Sequence, residues 1–180
     1  MTAFLSSPYC SLAAVFLAGL CLGRFLNICI LRFPRNDSLP GQLKLLFSRP
    51  RACDGCGQSR PWYQFLPLSG AVSAIARCPQ CRRRLPRRFP VVEFLTAALL
   101  AILYFQEVIL QPGTISANQY LLFAYHAVLI CGLIVATFID IDLKIIPDGS
   151  TLPAMAVGLA GGFLLHNTHL TPVWSQDPSL

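Results

Sequence analysis

"LLFAYHAVLICGLIVATFIDIDLKIIPDGST", Leu121 to Thr151, opens with nineteen residues that carry no formal charge and then sets Asp140, Asp142 and Asp148 within nine positions. An apolar run of about 20 residues can cross roughly 30 Å of hydrocarbon. Carboxylates at its end are costly unless they face a wet cavity or a partner. Proline disfavours helix in the residue before it, so Pro147 predicts a helix ending near Ile146, with Asp140 in its last turns and Asp148 in the following turn. On a helix Asp142 points about 200° away from Asp140, so the two cannot face one substrate together. One reading makes all three aspartates interfacial, with Lys144, one turn on, as a salt-bridge mate for Asp140.

Reading outward, the whole 180-residue chain is 54% hydrophobic and only 12% charged, with a mean hydropathy of +0.58. Such a composition excludes an ordinary soluble domain and predicts an all-α polytopic membrane protein. Four stretches are long enough to span: Cys10 to Leu31, Val91 to Leu110, Gln119 to Ile139 and Leu152 to His169. The first has no basic residue before its apolar core and runs on past Arg24, so it reads as a retained span and not a signal peptide. Arg24 stands close enough to the end of that span for its stem to snorkel to the interface. Glu93, at the start of the second span, reads as an interfacial anchor, with a place near a methylation site as the alternative.

Twelve of the fourteen Lys and Arg residues lie between Arg32 and Arg88, against two acids, Asp37 and Asp54. That segment carries +10 and the rest of the chain −4. The positive-inside rule places it in the cytoplasm, with the N-terminus and the Gln111 to Asn118 loop outside. The third span then runs inward and delivers Asp140 to the cytoplasmic face. The run "CRRRLPRRFP" is accounted for by orientation and, beyond that, by lipid headgroups; the expected partner is the lipid bilayer, with no nucleic acid.

Proline and glycine punctuate the joints, and the chain divides into a first transmembrane helix (10–31), a polar insert (32–90) and a hydrophobic bundle (91–180). Ser150 or Thr151 can cap the fourth helix, with Pro153 in its first turn. Pairs of glycines at four-residue spacing, Gly19 with Gly23 and Gly158 with Gly162, let helix backbones approach closely.

Of eight cysteines, Cys10, Cys21, Cys29 and Cys131 sit singly in the spans, where a thiol packs as a small hydrophobe. Cys53, Cys56, Cys78 and Cys81 form two C-x2-C pairs, "CDGC" and "CPQC", with Gly55, Gly57 and Pro79 where tight turns are wanted. Four thiolates at such spacing suit a closed tetrahedral Zn²⁺ site, structural and not catalytic, in a small zinc-ribbon-like insert. A reducing cytoplasm argues against disulfides; a redox dithiol and a metal-free insert are the alternatives.

These stretches together resemble the type IV prepilin leader peptidases, membrane aspartyl proteases of the GxGD type that also N-methylate the new pilin N-terminus. "LCLGRFLNICILRFPR" is similar to the family's G-S-F-L-N-V-x-x-x-R-x-P signature and "RPWYQFLPLSG", between the cysteine pairs, to its P-W-x-x-x-P-x-x-S stretch. "RRFPVVEFLTAAL" is similar to R-Y-P-x-V-E-x-x-T, and "DIDLKIIPD" matches D-x6-P-D. The resemblance covers nearly all of the chain. It implies that Asp140 is the first catalytic aspartate, that substrates are type IV prepilins or pseudopilins cleaved after the glycine ending a basic leader, and that S-adenosylmethionine donates the methyl group. It implies a multi-pass protein of the bacterial inner membrane with the four-cysteine insert in the cytoplasm.

Two departures stand out. The family's second aspartate lies in a later G-x-G-D motif, which this sequence does not contain; Asp177 is not preceded by G-x-G and is expected near the outer face. The chain is therefore expected to be an incomplete part of the enzyme, with the bundle ending before the second catalytic aspartate and without protease activity of its own. Arg24 stands where the family usually has Ser. Outside the protease class, the sequence is also compatible with a non-catalytic membrane scaffold whose zinc module binds a partner, or with a methyltransferase-only fragment.

Overall fold

A computed structural model describes residues 8–35, 38–46, 53, 56–57, 66–69, 77–84, 88–110, 117–145 and 148–164. Its helices are α1 (Pro8–Arg32), followed by a 3-10 turn Phe33–Arg35, then α2 (Leu39–Leu46), α3 (Arg88–Tyr104), α4 (Ala117–Leu143) and α5 (Asp148–Leu164). α3 continues into a stretch of π-helix, Phe105–Ile109. Among the described residues there is no strand, only a single antiparallel bridge between Arg77 and Arg84. The all-α expectation holds. Among the described residues, three helices are long and apolar enough to cross a membrane: Tyr9–Arg32, Arg88–Ile109 and Ala117–Leu143. The fourth expected span is the 17-residue helix α5; residues 165–169 of its expected range lie outside the described set.

α1 and α3, α3 and α4, and α4 and α5 each run antiparallel. α1 and α3 form the tightest pair, and glycine makes it possible. A Cβ on Gly19 would fall 2.6 Å from the Ala97 Cα, and one on Gly23 would fall 2.6 Å from the Glu93 Cα. No side chain fits there, so the backbones meet directly, as this glycine spacing predicts. The second glycine pair behaves differently: among the described residues nothing lies within 4 Å of a Cβ on Gly158 or Gly162, and it is Gly161 that receives a neighbour, the Tyr125 ring. A spacing of four marks one helix face, but only a facing helix turns that face into a contact.

At the end where α1 stops and α3 starts, Leu26, Cys29, Ile30 and Phe33 pack with Val92 of α3 and Ile134, Val135 and Ile139 of α4. Cys131 packs against this cluster and Cys29 lies within it, as expected of thiols that act as small hydrophobes. Large apolar side chains such as Leu17, Phe94, Ile102 and Leu133 are exposed, the arrangement of helices whose outer face meets lipid instead of water.

Two helix ends differ from expectation. α4 stops at Leu143, three residues before Ile146, because Lys144 takes φ 54° and its N–H donates to the Asp140 carbonyl at 2.8 Å. One residue in the left-handed region ends a helix regardless of a later proline. α5 starts at Asp148 and not at a Ser150 or Thr151 cap, so Asp148 belongs to the helix and its carboxylate complements the positive end of the helix dipole. Pro153 consequently sits inside α5 beyond its first turn.

Candidate functional site

The insert brings its four cysteines together from two matching turns. In the first, the Gly57 N–H donates to the Cys53 carbonyl at 2.9 Å; in the second, the Arg82 N–H donates to the Cys78 carbonyl at 2.9 Å. Gly57 has φ 72° and Arg82 has φ 55°, so both turns close through a left-handed residue one position after the second cysteine. Glycine takes that conformation freely; arginine does so at a cost. The Gly57 turn was legible in the sequence, whereas its counterpart was hidden behind an arginine. Pro79 lies in the second turn, and Gly55 lies outside the described residues.

All four sulfurs lie within 4.8 Å of one another, with Cys53 to Cys81 at 3.5 Å and Cys56 to Cys78 at 3.7 Å. A tetrahedral zinc with bonds of about 2.3 Å sets its sulfurs roughly 3.8 Å apart, so the donor set fits a metal of that kind. The N–H groups of Cys81 and Gln80 draw the Cys78 thiol below its ordinary value. The N–H of Arg83 pulls the Cys81 thiol down as well, but the crowding thiols, Cys53 foremost, together with burial, outweigh it and push Cys81 up to about 11. A dication that takes all four sulfurs as thiolates relieves this crowding.

At the aspartate end the three carboxylates part company. Ile139 is fully buried in the helix cluster, which holds the last turn of α4 in place. Asp140 follows it and is exposed. Asp142 forms an ion pair with Arg88, the first residue of α3, and so points away from Asp140 as helical geometry requires. Asp140 has no ion-pair partner among the described residues; the alternative mate Lys144 offers it a backbone hydrogen bond only. Asp148 is exposed at the start of α5. Asp177 lies outside the described residues.

Two residues that sequence reasoning assigned to the interface are instead buried between helices. Arg24 does not snorkel: it is 8% exposed, and its Nη1 donates to Glu93 Oε1 at 3.0 Å while its guanidinium lies 5.1 Å from the centre of the Phe89 ring. Glu93, 0% exposed, is no interfacial anchor. A buried arginine and a buried glutamate each cost several kcal/mol alone and are tolerated as a pair. Beside them Asn27 Nδ2 donates to the carbonyls of Gly23, at 3.2 Å, and Phe89, at 3.1 Å. Asn27 thus ties α1 to the first turn of α3, a role no local pattern announces. At the opposite end of the bundle Glu107, in the π-helical stretch, pairs with His126 of α4.

Comparison with known proteins agrees with this architecture. Residues 17–107 match the family described as Bacterial Peptidase A24 N-terminal domain. The chain is 34% identical over 152 residues to a prepilin leader peptidase/N-methyltransferase of Myxococcus xanthus (strain DK1622), covering 84% of this chain and 40% of that protein. It is 28% identical to a protein of the same description from Klebsiella pneumoniae, covering 81% of this chain and 59% of that one. It is 30% identical to a type 4 prepilin-like proteins leader peptide-processing enzyme of Escherichia coli O78:H11 (strain H10407 / ETEC), covering 88% and 58%. The chain spans about half the length of these curated relatives. No solved structure matches it. With a glycine-seamed helix pair, a four-cysteine insert and a family match running from α1 through the insert to α3, the chain belongs to the prepilin leader peptidase family, of which it carries the bacterial A24 N-terminal domain.

Proposed function

We propose that these 180 residues are the part of an inner-membrane prepilin leader peptidase and N-methyltransferase that supplies the first catalytic aspartate, Asp140. The observation that supports this most is the separation of the carboxylates: Asp142 is neutralised by Arg88, whereas Asp140 stands exposed just beyond the buried Ile139. Aspartyl proteolysis needs two carboxylates sharing one proton. The ionised one takes a proton from water as it attacks the scissile carbonyl, and the protonated one donates to the carbonyl oxygen or leaving amine. Asp140 is one member of that dyad. The other, by family resemblance, belongs to a G-x-G-D motif.

The substrates are type IV prepilins or pseudopilins, cut after the glycine that ends the basic leader at the cytoplasmic face. The charge of the +10 segment favours the same face for the four-cysteine insert. Cys53, Cys56, Cys78 and Cys81 hold a structural zinc, whose binding energy is largely folding energy of the insert. The relatives' names include an N-methyltransferase activity, and S-adenosylmethionine, by family resemblance, supplies the methyl group in that second reaction.

The test uses the full-length enzyme. Asp140→Asn keeps the shape and hydrogen bonding of the side chain but removes its ionisable group. It is expected to abolish leader cleavage while sparing methyl transfer to a substrate already cleaved. Near-normal processing of prepilin by this variant would remove Asp140 from the dyad.

A further inference from the structure

Between the two cysteine pairs, Leu66–Ser69 forms a tight turn, with the Ser69 N–H donating to the Leu66 carbonyl at 3.3 Å. Pro67 occupies its second position and Leu68 its third, with φ 60°. A positive φ at the third position is the pattern of a type II turn and is normally left to glycine. A leucine held there needs support from its surroundings. The Leu68 N–H donates to Glu93 Oε2, while the other oxygen of the same carboxylate receives Arg24 Nη1 at 3.0 Å. Glu93 is the sixth residue of α3, about one and a half turns in from its first residue.

We propose that Arg24 and Glu93 are positioning residues that seat the insert on the helix bundle: the guanidinium holds one oxygen of the Glu93 carboxylate in the α1–α3 seam, and the other oxygen grips the backbone of the Leu66–Ser69 turn. A charged acceptor is the stronger hydrogen-bonding partner for an amide. A carboxylate fully buried between helices needs a partner for each of its oxygens, and Arg24 and the Leu68 amide supply one each. The chemistry explains why an arginine is placed deep in the seam and not at its edge. It also gives the insert a point of attachment to the bundle that is separate from its two chain connections.

Hydrogen–deuterium exchange on the full-length protein in detergent tests it, because the Leu68 amide reports its own acceptor and no activity is required. Arg24→Met removes the charge at similar length and Glu93→Ala removes the acceptor; both are expected to speed exchange of residues 66–69 roughly tenfold, more than they speed that of residues 92–104. Arg24→Lys keeps a cation and is expected to stay within about twofold of the native rate. Glu93→Gln keeps nearly the same volume and so tests the charge even where the alanine variant fails to fold. Native exchange of residues 66–69 in Arg24→Met and Glu93→Gln would overturn the proposal, as would equal acceleration in Arg24→Lys and Arg24→Met.

Discussion

Arg24 and Glu93 lie 69 positions apart, and each alone invites an interfacial reading: an arginine near the end of a span, a glutamate near the start of one. Only their approach across the glycine seam turns two untenable buried charges into one tolerated pair. Asp142 went the other way, its place opposite Asp140 following from helix periodicity alone, with Arg88 then found as its mate. Since that pair leaves Asp142 outside the proposed dyad, Asp142→Asn in the full-length enzyme should retain partial cleavage activity, measured as prepilin processed over time, in contrast to Asp140→Asn. The cysteines make a second residue-level prediction. Replacing any one of Cys53, Cys56, Cys78 or Cys81 by Ser should abolish stoichiometric zinc and loosen residues 50–90, because a closed four-ligand site loses its folding contribution with one ligand. Elemental analysis and limited proteolysis of purified, reductant-treated protein check both parts, and native protein without zinc would contradict the assignment.

Among the elements, the α1–α3 pair shows how one sequence pattern can carry opposite consequences. Gly19 and Gly23 face backbone at contact distance, whereas Gly158 and Gly162 face open space among the described residues. Gly23→Val should therefore force α1 off α3 and destabilise the protein by at least about 1–3 kcal/mol. Gly158→Ala and Gly162→Ala should be neutral or slightly stabilising, since alanine is the better helix former by up to about 1 kcal/mol. Unfolding in mixed micelles of all three variants separates the two faces, and equal losses would show that the glycine spacing itself is what matters. The helix ends make the same point: Pro147 marked the right joint between α4 and α5, but Lys144 closes α4 a turn earlier and Asp148 opens α5 directly.

For the whole molecule, the antiparallel helices bring the end of α1, the start of α3, the end of α4 and the start of α5 to one side, where Asn27 reaches Phe89 and Asp142 reaches Arg88. The basic segment connects to this side. A reporter fused near Arg60 should accordingly be cytoplasmic and one fused near Thr114 external, both positions lying outside the described residues; reversed labelling would move Asp140 to the wrong face for its proposed substrate. What the amino-acid sequence determined by itself was whatever depends on neighbours along the chain: the apolar spans, the asymmetry of charge between loops, the spacing of the C-x2-C pairs, and the turning of Asp142 away from Asp140. These are one-dimensional properties, set by hydrocarbon thickness, helical period and ligand reach. The tertiary structure alone decided which glycine face is a seam, that Arg24 and Glu93 neutralise each other in it, that Asn27 joins two helices, and that Arg82 mirrors Gly57. Each of these depends on which surfaces meet, and in a bundle of uniformly apolar helices hydrophobic pattern carries too little contrast to say which faces will pair.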